Sequence, residues 1–399
     1  MRNAQKPAKT TARVRVDDRE RSEAGLATVP AMKCHYLLTA SLDVWTHTIL
    51  APMAEALVAA IQEGKLADVR KALRAKPKAG VLARAAVMCA GRAWQPGLEL
   101  LHRHGADLNG VWRGYRPLHA LIQERPHGET KPTPERLVCL EWLLANGADA
   151  EQTGAWPPAR AIIVAAFMGE PEFVKRLRGA SKIDGFAGAA MGDRKLVEKA
   201  LQANSDLARE RDHGGLTALQ CACGGRMPRG EYRAIAALLM DAGADPRART
   251  KSWAHELDAS YYANGSKDPE LFELVLKGGC EPQEALGHAV WGKHFALAEI
   301  ALRYGASVDE AIHEGKPLLN NLIRWGQMQQ ALWLIERGAS PNVADCEGWT
   351  AVHQAASRGN ARMFDAVLKA GGDTGRRDKQ GRRPLDLANA KLQALAAGR

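Results

Sequence analysis

The sequence predicts an all-α solenoid of about ten helix-turn-helix repeats joined by short hairpin loops. Four observations carry this reading. Glycines close short apolar stretches at an even spacing: Gly305, Gly338 and Gly371 recur at about 33 residues, an interval typical of stacked helical repeats. The segments around them repeat in kind, Leu334-Ile335-Glu336-Arg337-Gly338-Ala339-Ser340 matching Val367-Leu368-Lys369-Ala370-Gly371-Gly372-Asp373. The apolar stretches also come in pairs, each helix too short to hold its structure alone in water, so a pair must bury its face against further copies of itself. Finally, the composition suits thin, closely stacked helices: 46% hydrophobic but only 6% aromatic, with Ala and Leu filling the helical stretches. A compact chain of 399 residues would be expected to divide into two or three domains. A repeat array escapes that division because its core grows in one dimension.

The stretch Asp345 to Asp373 shows the unit most clearly. Asp345 to Gly348 is a turn cluster. Thr350 stands at a helix N-cap, where its hydroxyl can accept a backbone N–H that the first turn leaves without a partner. A short apolar helix runs from Ala351 to Ser357 and breaks at Gly359. A second helix, from about Ala361 to Ala370, places Met363, Phe364, Val367 and Leu368 toward a core and ends at Gly371-Gly372. The opener Thr350-Ala351-Val352-His353-Gln354-Ala355 follows the pattern T-P-L-H-x-A at the right period. Period, order and terminator together resemble the ankyrin-repeat family.

Taken in order, residues 1–52 read as a disordered basic extension and residues 53–399 as the repeat array. Five of the chain's positive charges fall within the first sixteen residues, with no acid among them. Ala54 to Leu73 forms a divergent first pair. Val81 to Ala90 and Leu98 to His104 form the next, closed by Gly105-Ala106-Asp107-Leu108-Asn109. Arg116-Pro117-Leu118-His119-Ala120 opens another, with proline where the first helical turn tolerates it. A proline-rich insertion, Glu124 to Glu135, separates its two helices. Two shorter repeats, Ala159 to Arg178 and Phe186 to Leu201, leave the register between 151 and 208 least regular. The pattern returns at Asp212 to Ala222, and a second insertion, Gly224 to Gly230, delays the following helix. Terminators recur at Gly243, Gly278-Gly279, Gly305, Gly338 and Gly371, and Asp378 to Ala388 opens a truncated final cap.

Motifs of catalysis or cofactor binding are absent. No phosphate-binding G-x-x-x-x-G-K-[ST], no G-x-S-x-G and no H-E-x-x-H occurs. The seven cysteines, Cys34, Cys89, Cys139, Cys221, Cys223, Cys280 and Cys346, are scattered and odd in number, which argues against a disulfide framework and for a reducing cytoplasm. Cys221-x-Cys223 lacks the second pair that a structural zinc site needs and reads as packing. His102-x-His104 lies at a helix C-terminus, where cationic side chains are favoured. No run of about 18 apolar residues offers a membrane span. The chain is expected to need no metal or cofactor and to catalyse nothing.

The resemblance implies what remains. His119 and His353 occupy the opener's histidine slot, which implies hydrogen bonding within and between repeats. In the family, residues just before the glycine between the two helices face a concave groove. The matching residues are Phe167 and Met168, Met191, Arg324 and Trp325, and Arg358, with Trp291 matching less well because the spacing puts the turn at Lys293. Hairpin tips add Trp112, Arg113, Tyr115, Glu347 and Trp349. Aromatic side chains, Met and Arg are the types that carry binding energy at interfaces. The expectation is a monomeric scaffold that binds a protein partner through groove and tips. The charge of +10 leaves two alternatives, a binder of nucleic acid or another anionic surface through a basic face and tail, and a secreted, host-directed effector.

Overall fold

The computed structural model describes residues 51–124, 133–252, 255–313 and 315–397. The basic extension, up to residue 50, and most of the first insertion lie outside the described residues. Among the described residues, ten helix pairs follow one another. The first is Ala51–Glu63 with Leu66–Leu73, and the second Ala79–Gly91 with Gln95–Arg103. Pro117–Gln123 pairs with Pro134–Ala145, Ala161–Met168 with Pro171–Leu177, and Gly185–Met191 with Arg194–Ala203. The remaining five are Ala218–Gly224 with Tyr232–Asp241, Ala259–Ser266 with Pro269–Lys277, Pro282–Trp291 with Phe295–Arg303, Leu318–Arg324 with Met328–Glu336, and Ala351–Arg358 with Ala361–Lys369. The eleventh pair is reduced to a single 3-10 turn, Pro384–Asp386, and the helix Ala390–Ala397, as a truncated cap should be.

First helices pack mostly on the first helices of adjacent pairs, and second helices on second helices, so the array has an inner and an outer layer; between the eighth and ninth pairs a hairpin strand, Ala311–His313, packs against both inner helices. The apolar core runs between them, from Leu57 and Ile61 to Phe364 and Val367. The two short repeats between 151 and 208 are complete pairs whose helices have been clipped, not lost. Connections between repeats carry small antiparallel hairpins, Thr153–Gly154 with Ala159–Arg160, Thr250–Ser252 with His255–Leu257, and Ala311–His313 with Lys316–Pro317.

Local chemistry explains why the unit repeats. Gly338 and Gly371 end their outer helices with φ of +84° and +87°, a conformation glycine adopts at no steric cost. The Asp345 side chain accepts the backbone N–H groups of Glu347 and Trp349, each at 2.9 Å, and so fixes the turn that precedes the next helix. Asp378 does the same for Gln380 and Arg382, one repeat later. Thr350 and His353 form a capping box. His353 Nδ1 accepts the Thr350 N–H at 3.2 Å, which leaves Nε2–H to donate to the Arg382 carbonyl in the next repeat. His119 Nε2–H likewise donates across to the Ala159 carbonyl at 2.9 Å. Asn109 and Asn342 tie repeat to repeat: each donates to the next terminator carbonyl, Gly147 or Gly371, and accepts the N–H of Asp149 or Asp373, all at 2.8 Å.

In the outer helix Ala361–Lys369, Met363, Phe364 and Val367 are buried as expected, whereas Leu368 is only half-buried. It lies one position round the helix from Val367, at the edge of the core stripe. Phe364→Ala is therefore expected to cost about 3–5 kcal/mol and Leu368→Ala distinctly less. Hydrogen exchange in Phe364→Ala should quicken first in the C-terminal repeats. Burial also depresses His119 to about 4, and lowers His288 and His353. At His119 the unfolded chain then takes up a proton near pH 6.5, while the folded chain resists until about pH 4. This group's contribution is complete above pH 6.5 and lost as the pH falls toward 4. Melting temperature should drop over that interval, and the drop should be shallower in His119→Asn.

Candidate interaction surface

The turns that join each inner helix to its outer helix form one face of the array. In the ninth pair, Trp325 caps the helix Leu318–Arg324, and Gly326 turns the chain with φ of +70°. Trp325 is 45% exposed, and the guanidinium of Arg324 lies 6.0 Å from its ring centroid. Arg358, at the equivalent turn of the tenth pair, is exposed and donates to the Arg324 carbonyl. The structure thus brings Arg324, Trp325 and Arg358 together across two repeats.

Other sequence-selected residues are placed differently. Phe167 and Met191 are buried, at 8% and 7% exposure, and Met168 is half-buried. The expectation that they line an open groove is corrected for Phe167 and Met191, and the second insertion supplies the reason. Residues 225–231 fold back across the C-terminal ends of the fourth and fifth inner helices. The N–H of Arg226 donates to the Ala166 carbonyl at 3.0 Å, and its Nη1 to the Phe167 carbonyl at 2.9 Å. The Glu231 N–H donates to the Gly192 carbonyl at 3.1 Å, and the Tyr232 hydroxyl to the Ala190 carbonyl at 3.1 Å. Gly224 lies against the Phe167 ring, where a Cβ would sit 2.7 Å from it. This strap occupies the place where a groove residue would meet solvent.

Trp291 is half-buried and packs against the core. The left-handed turn of its repeat is made by Lys293, with φ of +58°, while Gly292 remains helical. Trp291 therefore corresponds to Arg324 and not to Trp325. At the tips, Trp112 and Tyr115 pair as an isolated bridge and are half-buried. Arg84 and Arg113 lie 5.4 and 5.1 Å from the Trp112 ring centroid, and the Arg113 carbonyl accepts the Trp156 indole N–H at 3.2 Å. Glu347 is exposed, and its carbonyl accepts the Lys379 N–H at 3.0 Å. Trp349 is half-buried between His353 and the Arg382 guanidinium.

A family model described as ankyrin repeats (many copies) matches residues 319–368, from the ninth inner helix to the tenth outer helix. The chain is an ankyrin-repeat protein. It is 33% identical over 138 residues to the inactive serine/threonine-protein kinase TEX14 of Mus musculus, a match covering 35% of this chain and 8% of that one. It is 37% identical over 60 residues to ankyrin repeat-containing protein P1E11.10 of Schizosaccharomyces pombe, covering 15% and 29%. The ankyrin-repeat protein thus spans less than a third of either relative. Among solved structures, it resembles the ankyrin repeat domain of Bcl-3, a member of the IkappaB family, with a TM-score of 0.46, 20% identity and coverage of 54% and 99%. It resembles that of human ASB11 with a TM-score of 0.44, 22% identity and coverage of 55% and 98%.

The sequence reading of this ankyrin-repeat protein missed Tyr261. It stands on the seventh inner helix, 37% exposed, edge-on to the ring of His288 at 5.0 Å. The adjacent Tyr262 is buried, and the Tyr-Tyr pair in the sequence gave no sign of which ring would face out. Among the described residues, no group of three or more His, Cys, Asp or Glu is placed to hold a metal ion. Cys89, Cys139, Cys221, Cys223 and Cys280 are buried. Burial pushes the thiols of Cys89 and Cys139 up to about 12 and the others higher, which keeps them protonated and unreactive. Cys346 is exposed, and Cys34 lies outside the described residues. His102 and His104 approach the Ala106 and Leu100 carbonyls of their own helix end and act as caps. No described helix is long and apolar enough to cross a membrane.

The strap generates a test. A Cβ on Gly192 would lie 2.4 Å from the Gly230 Cα, and its φ of +72° disfavours any L side chain. Gly192→Ala is expected to lift the strap. Amide exchange should quicken at Arg226 and Glu231, and Met191 should become more accessible to oxidation, while helical circular dichroism changes little.

Proposed function

We propose that this ankyrin-repeat protein is a non-catalytic scaffold that binds a protein partner on the inner-turn face of its C-terminal repeats, with Trp325 as the anchor. Ankyrin repeats in general mediate protein–protein interaction. The observation that supports the site is the exposure of Trp325, large and apolar, beside the exposed Arg324 and Arg358. Trp and Arg are the residue types most often found at binding hot spots, and a large exposed apolar side chain in such company is best explained by a partner. The hairpin tip with Glu347 and Trp349, between the ninth and tenth repeats, would flank that surface, whereas the tip with Trp112, Arg113 and Tyr115 belongs to the second and third repeats and would lie outside it. The protein is proposed to act as a monomer in the cytoplasm, where its thiols stay reduced.

Trp325→Ala should weaken binding to the partner captured by affinity pull-down by about 1 kcal/mol or more, with little change in melting temperature. Unfolding of the C-terminal repeats by Trp325→Ala would instead make the residue structural. Charge reversal at Lys6 and Lys9 should change that binding far less. A complex lost only with those tail charges, and weakening steeply with salt, would favour the nucleic-acid reading.

A further inference from the structure

We propose that the open part of the inner-turn face, from the seventh to the tenth repeat, takes an extended acidic segment of the partner, with carboxylates at about every third residue and an apolar side chain for Trp325. This rests on the scaffold reading above and names the chemistry of what is bound. Lys267, Lys293, Arg324 and Arg358 lie at or beside the inner turns of four successive repeats. The corresponding inner helices contain one carboxylate, Glu284, and it is already paired with Arg249 at 2.8 Å.

The outer layer differs. There several cations are matched from repeat to repeat, Arg176 with Glu141, Arg233 with Glu270 and Arg337 with Glu299, although Arg303 and Arg362 enter no ion pair among the described residues. Among the described residues, no carboxylate is in ion-pair contact with the four inner-turn cations. A helix macrodipole favours a cation at each of these turns. Asp268, beside Lys267 in the seventh turn, is taken up by Arg233 of the preceding repeat and by the first N–H groups of its own helix. The macrodipole does not explain the choice of lysine at two turns. Lys267 and Lys293 sit at φ of +61° and +58°, where the ninth and tenth repeats use Gly326 and Gly359. A left-handed non-glycine residue costs about 1–2 kcal/mol. The second repeat carries the same strain with Ala93, at φ of +53°, so the conformation alone does not call for a charge; in the seventh and eighth repeats the residue that bears it is a lysine, which adds a cation to the face.

Geometry selects the occupant. Packed helices lie about 8–10 Å apart, so the seventh and eighth turns, and the ninth and tenth, each offer roughly one cation per 10 Å, with the hairpin Ala311–His313 and Lys316–Pro317 packed between the two sets of helices. An extended peptide advances about 3.3 Å per residue, so a carboxylate at every third position meets one turn after another. Duplex nucleic acid carries a charge about every 1.7 Å, which this row would leave largely unneutralised. The strap over the fourth and fifth inner helices closes the face on the N-terminal side, and its Arg226 continues the row to that edge.

The test uses the full chain and a fluorescein-labelled 13-residue peptide with glutamate at every third position and one central leucine, read by anisotropy. Controls are the same peptide with lysine for glutamate, and a 13-nucleotide single strand. The glutamate peptide should bind, the lysine peptide should not, and Lys293→Glu with Arg324→Glu should weaken binding about tenfold or more. Lys267→Gln with Lys293→Gln should weaken it in the same direction and serves if the reversed pair fails to fold. Unchanged affinity in both pairs overturns the inference, as does tighter binding of the oligonucleotide. Capture of a partner that is lost in Trp325→Ala but kept in the charge-reversed pair overturns the acidic segment and leaves the scaffold reading standing.

Discussion

Every feature of this protein depends on one constraint: its helices are too short to exist alone. The longest of the twenty in the ten pairs, Ala51–Glu63 and Ala79–Gly91, have 13 residues each. Isolated helices of that length are marginal in water. Each pair becomes stable only by burying its apolar face against the pairs on either side. Side chains at the repeat boundaries are therefore spent on register. Asn109 and Asn342 bridge one terminator to the next, His119 and His353 reach carbonyls of the following repeat, and aspartates lock the tips. Matched hydrogen bonds of this kind, buried at His119 and more open at the others, specify which repeat surface meets which.

With the interior committed to register, recognition is left to surfaces, and the two layers treat charge in opposite ways. Outer helices match several cations with carboxylates of neighbouring repeats. Exposed pairs of this sort contribute little energy, but they leave few charges uncompensated. The inner turns of the last four repeats carry Lys267, Lys293, Arg324 and Arg358, none of them in an ion pair among the described residues, while Asp268 beside Lys267 is taken up by Arg233. The second insertion adds a division along the array. By covering Phe167 and Met191 it converts two would-be contact residues into core and shifts the open face toward the C-terminal repeats.

Much of this was legible in the sequence because glycine, threonine, aspartate and histidine each act locally. The even interval between terminators, the Thr350 cap and the position of the truncated cap all follow from backbone chemistry within a few residues. Trp291 illustrates the boundary of such reasoning. Spacing correctly put its turn at Lys293, although the neighbouring Gly292 is the residue type that turns prefer. What remained hidden was long-range. That residues 225–231 would reach back 59 positions, from Arg226 to Phe167, has no local signature. Tyr261 and Tyr262 are identical in type, and only the packing of neighbouring helices decides which is exposed. Leu368 shows the same effect on a smaller scale, since one step round a helix moves a side chain from core to margin.

The central claim is that a partner is held against the inner turns around Trp325 and not elsewhere on the array. Site-specific photo-crosslinking measures this most directly. A benzoylphenylalanine introduced at position 325 keeps an aromatic side chain in place, and the same group at the exposed Arg362 reports on the outer layer. The account predicts that irradiation of cells carrying the 325 derivative yields a discrete crosslinked protein species, absent from the 362 derivative. Crosslinking of that species from 362 but not from 325 would contradict it.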